Sequence, residues 1–368
     1  MTHHCLIPPY VSSLSWEDPQ RAHLFQQWLS GLSTALALIP ETLCPASADA
    51  SFRRYFRIQA KHAQHASYII MDAPPALEDA HRFVHVAKLM QATGVRVPEI
   101  LDWDEQNGFL LLSDLGGQTF LEAIHAQPED STLASDLFKQ AIPLLIRWQL
   151  SSKPGVLDPY DQTVLKRELD LFAQWYISRH RQIELDVTQQ NTLEAVFQQI
   201  IQRNLSSTNV YVHRDFMSRN LMVGTPLPDG SFSEPGVLDF QDALYGPITY
   251  DIASLMRDAF HTWDEEFVLD MTIRYWEAAR QAGLPVDPDF SSFWIAVEWM
   301  GLQRHLKILG IFARLTLRDD KATYLEDTPR FIHYIRATCS RYRDLKPLLL
   351  LIDQIENIQP GYGYQYGR

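Results

Sequence analysis

The segment His213-Arg214-Asp215-Phe216-Met217-Ser218-Arg219-Asn220 sets a carboxylate and a side-chain amide five residues apart. That spacing suits a definite chemistry. Asp215 can accept the proton of an attacking hydroxyl, while Asn220 holds a hard divalent cation across a tight loop. A second carboxylate follows. Leu221-Met222-Val223 leaves the loop as a short strand, the polar turn TPLPDGSFSEPG intervenes, and Val237-Leu238 returns to Asp239. An aspartate at the end of the returning strand is placed to share the cation with Asn220. One Asp and one Asn leave the other coordination positions to phosphate oxygens and water. His213 reads as a packed, hydrogen-bonded core histidine, and Asp242 as a solvated turn carboxylate or an outer support for the metal.

These side chains need a scaffold, and the periodicity of the chain supplies one. Leu24, Trp28 and Leu32 recur at helical spacing behind Asp18-Pro19, predicting an amphipathic helix over 17–33. SFRRYFRIQA (51–60) and SYIIMDAP (67–74) read as strands, a helix follows over about 77–92, and VPEILDWD and GFLLLSDL pair around a Glu105–Gly108 turn. After Gly116-Gly117 the pattern is helical at about 118–126, 131–151, 162–182 and 187–204. Past the 210–240 hairpin, helices resume at 249–284, 288–317 and 328–344. The expected fold is therefore α+β with two lobes: a small β-rich N-lobe over 1–115 and a larger, mainly helical C-lobe over 116–368.

Composition limits the function classes. The 368 residues carry 32 Lys plus Arg against 45 Asp plus Glu, a formal charge of −13. Such a balance disfavours nucleic acid and anionic membranes, which need a basic footprint. Cys5, Cys44 and Cys339 lie far apart, so neither a disulfide framework nor a zinc site is indicated. No apolar run approaches the ~18 residues of a membrane span. The start MTHHCLIPPYVSS has neither the basic opening nor the apolar run of a signal peptide. A cytoplasmic, monomeric protein is the expectation.

VHRDFMSRNLMV and GVLDFQDALYGPITYDIASL resemble the aminoglycoside phosphotransferase and choline kinase-like family, small-molecule kinases of the protein-kinase fold, and the likeness runs over about residues 45–310. DASFRRYFRI, MDAPP and QRHLKILGIFARL are similar to bacterial anomeric N-acetylmuramate/N-acetylglucosamine kinases of cell-wall recycling. The resemblance implies ATP and Mg²⁺ as cofactors and a small-molecule sugar as acceptor, phosphorylated on its anomeric hydroxyl. It makes Asp215 the base and Asn220 and Asp239 the metal ligands, with Asp251 bracing the catalytic loop from a helix start. Kinases of an aminoglycoside or amino alcohol, or a non-catalytic nucleotide-binding regulator, are the alternative readings.

The departures from the family matter as well. Arg214 stands where the family usually has glycine. No glycine-rich loop is present; the corresponding hairpin is Ser47–Phe52, where Ser51 and backbone N–H groups would meet phosphate. The strand expected to carry a phosphate-binding lysine reads Ile69-Ile70-Met71, and its glutamate partner falls near Val84. Arg53, Arg54 or Arg57 is expected to supply the missing cation; alternation puts Arg53, Tyr55 and Arg57 on one face and Arg54 and Phe56 on the other. Adenine is expected at Leu112–Leu115, with Ser113 and Leu115 beside it. For the sugar, Arg304, Lys307 and Arg314 share a helix side that reads foremost as a solvated face, and Trp299 is either a stacking platform or core.

Overall fold

The computed structural model describes residues 16, 18–47, 52–61, 66–130, 132–227 and 230–359. They fall into two compact units, the described residues of Met1–Thr119 with Leu221–Asp242, and those of Phe120–Asn220 with Ala243–Arg368. The 221–242 hairpin thus groups with the first unit.

The first unit opens with helix α1 (Pro19–Ala35), started by Asp18, whose carboxylate accepts the Gln20 N–H at 2.8 Å, and by Pro19. Its fully buried face is Ala22, Phe25 and Leu29, while Leu24, Trp28 and Leu32 pack beside it half-buried. The apolar stripe is wider than the Leu24/Trp28/Leu32 spacing suggests. Five antiparallel strands follow: β1 (Leu38–Ser47), β2 (Arg54–Ala60), β3 (Ser67–Asp72), β4 (Ile100–Asp104) and β5 (Phe109–Ser113), in the order β1-β2-β3-β5-β4. All of β5 is buried, as an unbroken Phe-Leu-Leu-Leu run between two neighbours requires. The β4–β5 turn needs Gly108, whose φ is 72° and where an added Cβ would lie 2.0 Å from the Ala73 carbonyl oxygen. Helix α2 (Ala80–Ala92) begins at Asp79, which accepts the His81 N–H. Leu77 stays exposed in the turn before it.

The second unit is helical: α3 (Phe120–Ala126), α4 (Leu133–Leu150), α5 (Gln162–Leu171) continued as a π-helical segment (Phe172–His180), and α6 (Val187–Leu205). Strand β6 (Asn209–Val212) leads to a 3₁₀ turn at Ser218–Asn220. In the first unit that turn continues as the short hairpin of β7 (Leu221–Met222) and β8 (Gly236–Val237). The helical unit resumes with β9 (Leu244–Pro247), antiparallel to β6. Helices α7 (Thr249–Met256), α8 (Glu265–Gln281), α9 (Phe290–Asp319), α10 (Thr328–Arg341) and α11 (Lys346–Ile355) complete the unit. The single helix expected over 249–284 is two helices, because Asp258 leaves the helix to serve the loop described below. No helix among the described residues is long and apolar enough to cross a membrane.

Candidate active site

The β6–β9 ladder, with Val212 opposite Leu244, delivers the chain to His213. From there backbone polar groups are fixed one by one. Asp251, in the first turn of α7, accepts the N–H groups of His213 at 2.7 Å and Arg214 at 2.9 Å. His213 is fully buried, and its Nδ1 lies 3.2 Å from the Asp215 N–H as acceptor. The Asn220 amide nitrogen donates to the Asp215 carbonyl at 2.9 Å. Asp258 accepts from the Ser218 N–H at 3.1 Å and from the Ser218 hydroxyl. Two aspartates seven residues apart therefore hold the two ends of one loop, and Asp215 is half-buried between them. Burial pushes the Asp251 carboxyl up to about 7, against the opposing pull of the two backbone N–H groups and Arg304.

Arg214 adopts φ 79°, a left-handed conformation that costs a residue with a Cβ about 1–3 kcal/mol and glycine almost nothing. That accounts for the glycine usual at this position, and leaves the arginine to be held by its contacts. Its carbonyl accepts from Arg304 Nη1 at 2.9 Å, and its Nη2 donates to Glu168 Oε1 at 2.6 Å. Glu168, on α5, also meets Lys307 Nζ at 3.1 Å and accepts from Gln303 Nε2 at 3.0 Å and from the Tyr160 hydroxyl. Burial pushes the Glu168 carboxyl up, but Lys307, Arg214 and the Tyr160 and Gln303 hydrogen bonds outweigh it and hold it at about 2.

The solvated reading of the 302–315 helix is overturned here. Arg304 is 2% and Lys307 8% exposed, because α9 is buried on all sides from Val297 to Gly310. Gly310 lets it lie directly on Leu171; an added Cβ would come within 2.3 Å of that residue's carbonyl carbon. Only Arg314 of the three cations is half-buried. Trp299 is buried, its ring 5.8 Å from that of Tyr342.

In the first unit Asp239 follows β8 by two residues with φ 62°, and Gln241 Nε2 donates to its Oδ1 at 2.7 Å. Phe240 beside it is buried against Phe83, ring centroids 4.8 Å apart. Asn220 and Asp239 each carry an oxygen donor of the kind a hard cation takes, and the amide nitrogen of Asn220 is turned to the Asp215 carbonyl.

The expected nucleotide residues that the structure describes are engaged within the unit. Arg53 Nε lies 3.4 Å from Glu78, Arg54 pairs with Asp72, and Arg57 pairs with Asp114 at 2.7 Å and donates to the Gly116 carbonyl at 2.8 Å. The Ser113 N–H donates to the Glu99 carbonyl and its hydroxyl accepts the Glu99 N–H, both at 2.9 Å. Leu115 is buried, and its carbonyl accepts from Arg96 at 3.3 Å. Ser51 lies outside the described residues. Met71 and Val84 are both buried, so neither half of the lysine–glutamate pair is left as a lone charge.

Sequence reasoning missed Glu168 and Asp258. A signal for Glu168 existed in Gln303, Arg304 and Lys307, polar residues that interrupt an apolar helix close to a glycine. Asp258 gave none, since its role depends on a helix break that periodicity does not show.

The model of the phosphotransferase enzyme family matches residues 42–286. A protein of Pseudomonas aeruginosa (strain PAO1) named N-acetylmuramate/N-acetylglucosamine kinase is 47% identical over 309 residues, covering 84% of this chain and 87% of its own. A protein of the same name from Neisseria meningitidis serogroup B is 44% identical over 322 residues, 87% of this chain and 93% of its own. Among solved structures, an ADP-bound aminoglycoside phosphotransferase superposes with a TM-score of 0.55 at 13% identity, over 84% of this chain and 97% of that one. That likeness is one of fold.

Proposed function

The chain belongs to the phosphotransferase enzyme family, and from that premise we propose that it is an ATP-dependent sugar kinase. Its acceptors are N-acetylmuramate and N-acetylglucosamine, taken at the anomeric hydroxyl in cell-wall recycling by a cytoplasmic monomer. The observation that carries this reading is the loop around Asp215, whose backbone N–H and carbonyl are both held by hydrogen bonds. A base fixed in this way needs no reorganisation when the acceptor arrives.

In the reaction, Asp215 takes the proton of the acceptor hydroxyl as that oxygen bonds to the γ-phosphorus and the bond to the bridging oxygen of ADP breaks. Asn220 and Asp239 would hold Mg²⁺, which when bound offsets the negative charge of the phosphoryl oxygens. Ser51, Arg53, Arg54 and Arg57 are the candidates for the phosphates, and Ser113 and Leu115 for the adenine side. Each of the three arginines would share its present carboxylate partner with the nucleotide.

The test is ADP release over N-acetylmuramate, N-acetylglucosamine, choline and aminoglycosides, with phosphorus NMR of the product. Turnover with the two sugars and an α-1-phosphate is expected. A phosphate at another position, or turnover with choline or an aminoglycoside alone, overturns the acceptor assignment. Asp215→Asn should lower kcat by about 10²–10⁴ while ATP still binds.

A further inference from the structure

Arg214 occupies a left-handed backbone conformation directly before Asp215, and three of its polar attachments come from three different elements. Its N–H is held by Asp251 on α7 and its carbonyl by Arg304 on α9. Its guanidinium is turned inward to Glu168 on α5, with Tyr160 beneath at 5.8 Å. Glu168 is 4% exposed and is the carboxylate that both Arg214 and Lys307 touch. Without its charge, Arg214 and Lys307 would lose the buried carboxylate that they share. The guanidinium would lose the contact that turns it inward, and the peptide that must turn to release it is the one joining Arg214 to Asp215.

We propose that Glu168 is a positioning residue for phosphoryl transfer, acting on Asp215 through the Arg214 guanidinium that it holds inside the helical unit. The proposal rests on the reading of Asp215 as the base. It differs from a purely structural role because Glu168 would set the direction of the 214–215 peptide as well as the packing of α5 on α9.

The arrangement makes a specific genetic prediction. Glycine enters the left-handed region unaided, so a chain with glycine at 214 has no guanidinium to strand and no strained side chain to hold. Arg214→Gly should then make kcat insensitive to what stands at 168.

The experiment measures kcat and KM for ATP in wild type, Glu168→Gln, Arg214→Gly and the double variant, with folded fraction followed by circular dichroism. Glu168→Gln should lose about ten- to a hundredfold in kcat, the scale expected for a displaced catalytic group, with KM for ATP within about twofold. Adding Arg214→Gly should restore at least tenfold of that loss. A Glu168→Gln kcat within twofold of wild type overturns the proposal. So does a loss that Arg214→Gly leaves in place, since packing damage alone would not be repaired by removing the arginine. Should Glu168→Gln fail to fold, the double variant replaces it as the test: with no guanidinium left to hold, its kcat should lie within about tenfold of that of Arg214→Gly, and a larger loss overturns the proposal. Asp215→Asn is the control for the underlying reading. If it keeps full kcat, the assignment of the base has failed; if it loses activity while Glu168→Gln does not, only the positioning role has failed.

Discussion

Asp72 and Glu168 are both carboxylates buried between two cations, one in each unit, and the protein uses them differently. Asp72 closes the end of β3 and is fully buried; Arg21 of α1 and Arg54 of β2 both bond to it, with Nε distances of 2.8 and 2.9 Å. Each of those guanidiniums lies over an aromatic ring, Arg21 over Phe109 at 4.6 Å and Arg54 over Trp16 at 4.0 Å. The cluster ties α1 to a sheet that Phe25, Phe56 and Phe109 already hold by packing. The cations of Glu168 also have rings beside them, though farther off, Arg214 over Tyr160 at 5.8 Å and Lys307 over Tyr250 at 5.7 Å. One of those cations carries a strained backbone, and that backbone leads to Asp215. Similar desolvation costs are met in both places, yet one cluster secures a helix while the other directs a loop.

The sharpest way to break this comparison is Asp72→Ala. Stripping the buried carboxylate from between two half-buried arginines removes a charge-assisted contact from each and should cost about 3–5 kcal/mol, read as a lowered urea midpoint at unchanged slope. An unchanged midpoint would remove the structural role assigned to Asp72. Next in size is the acid response of Glu168. Its carboxyl is held at about 2 in the folded chain against an ordinary value of 4.5. Its contribution is therefore complete above about pH 4.5 and lost as the pH falls toward 2, a span of about 3 kcal/mol. Unfolding free energies of wild type and Glu168→Gln should converge over that range, and a constant difference between them would contradict the assignment. The smallest effect belongs to Arg54→Ala. With Arg21 still on Asp72, the loss in stability should be about 1 kcal/mol. A concurrent rise in KM for ATP would add a nucleotide contact to the structural one, and an unchanged KM would confine Arg54 to the Asp72 cluster.

Much of the site was legible because it is local. Asp215 and Asn220 lie within one loop, where their spacing is legible, whereas Asp251, in the first turn of a later helix, was reached through the family resemblance and is found on the His213 and Arg214 N–H groups. The solvated reading of Arg304 and Lys307 failed for a general reason. Helical periodicity separates apolar from polar sides, but a helix enclosed all round buries both, and its polar side must then find partners such as Glu168 that are distant in sequence. Strand β1 was missed for the opposite reason. Leu38–Ser47 contains Pro40 and Pro45, which argue against a central strand, and the segment is in fact the edge of the sheet.

Those two prolines have a bearing on self-association. A sheet edge presents a row of backbone donors and acceptors that another extended chain can pair with, the first step of strand-by-strand polymerisation. Pro40 and Pro45 have no N–H to offer, and the register of β1 slips between Ile39 and Cys44 and again between Pro45 and Ser47. An incoming strand would find gaps where it needs hydrogen bonds. The irregularity that hides β1 from periodicity thus also makes it a poor template for a second molecule.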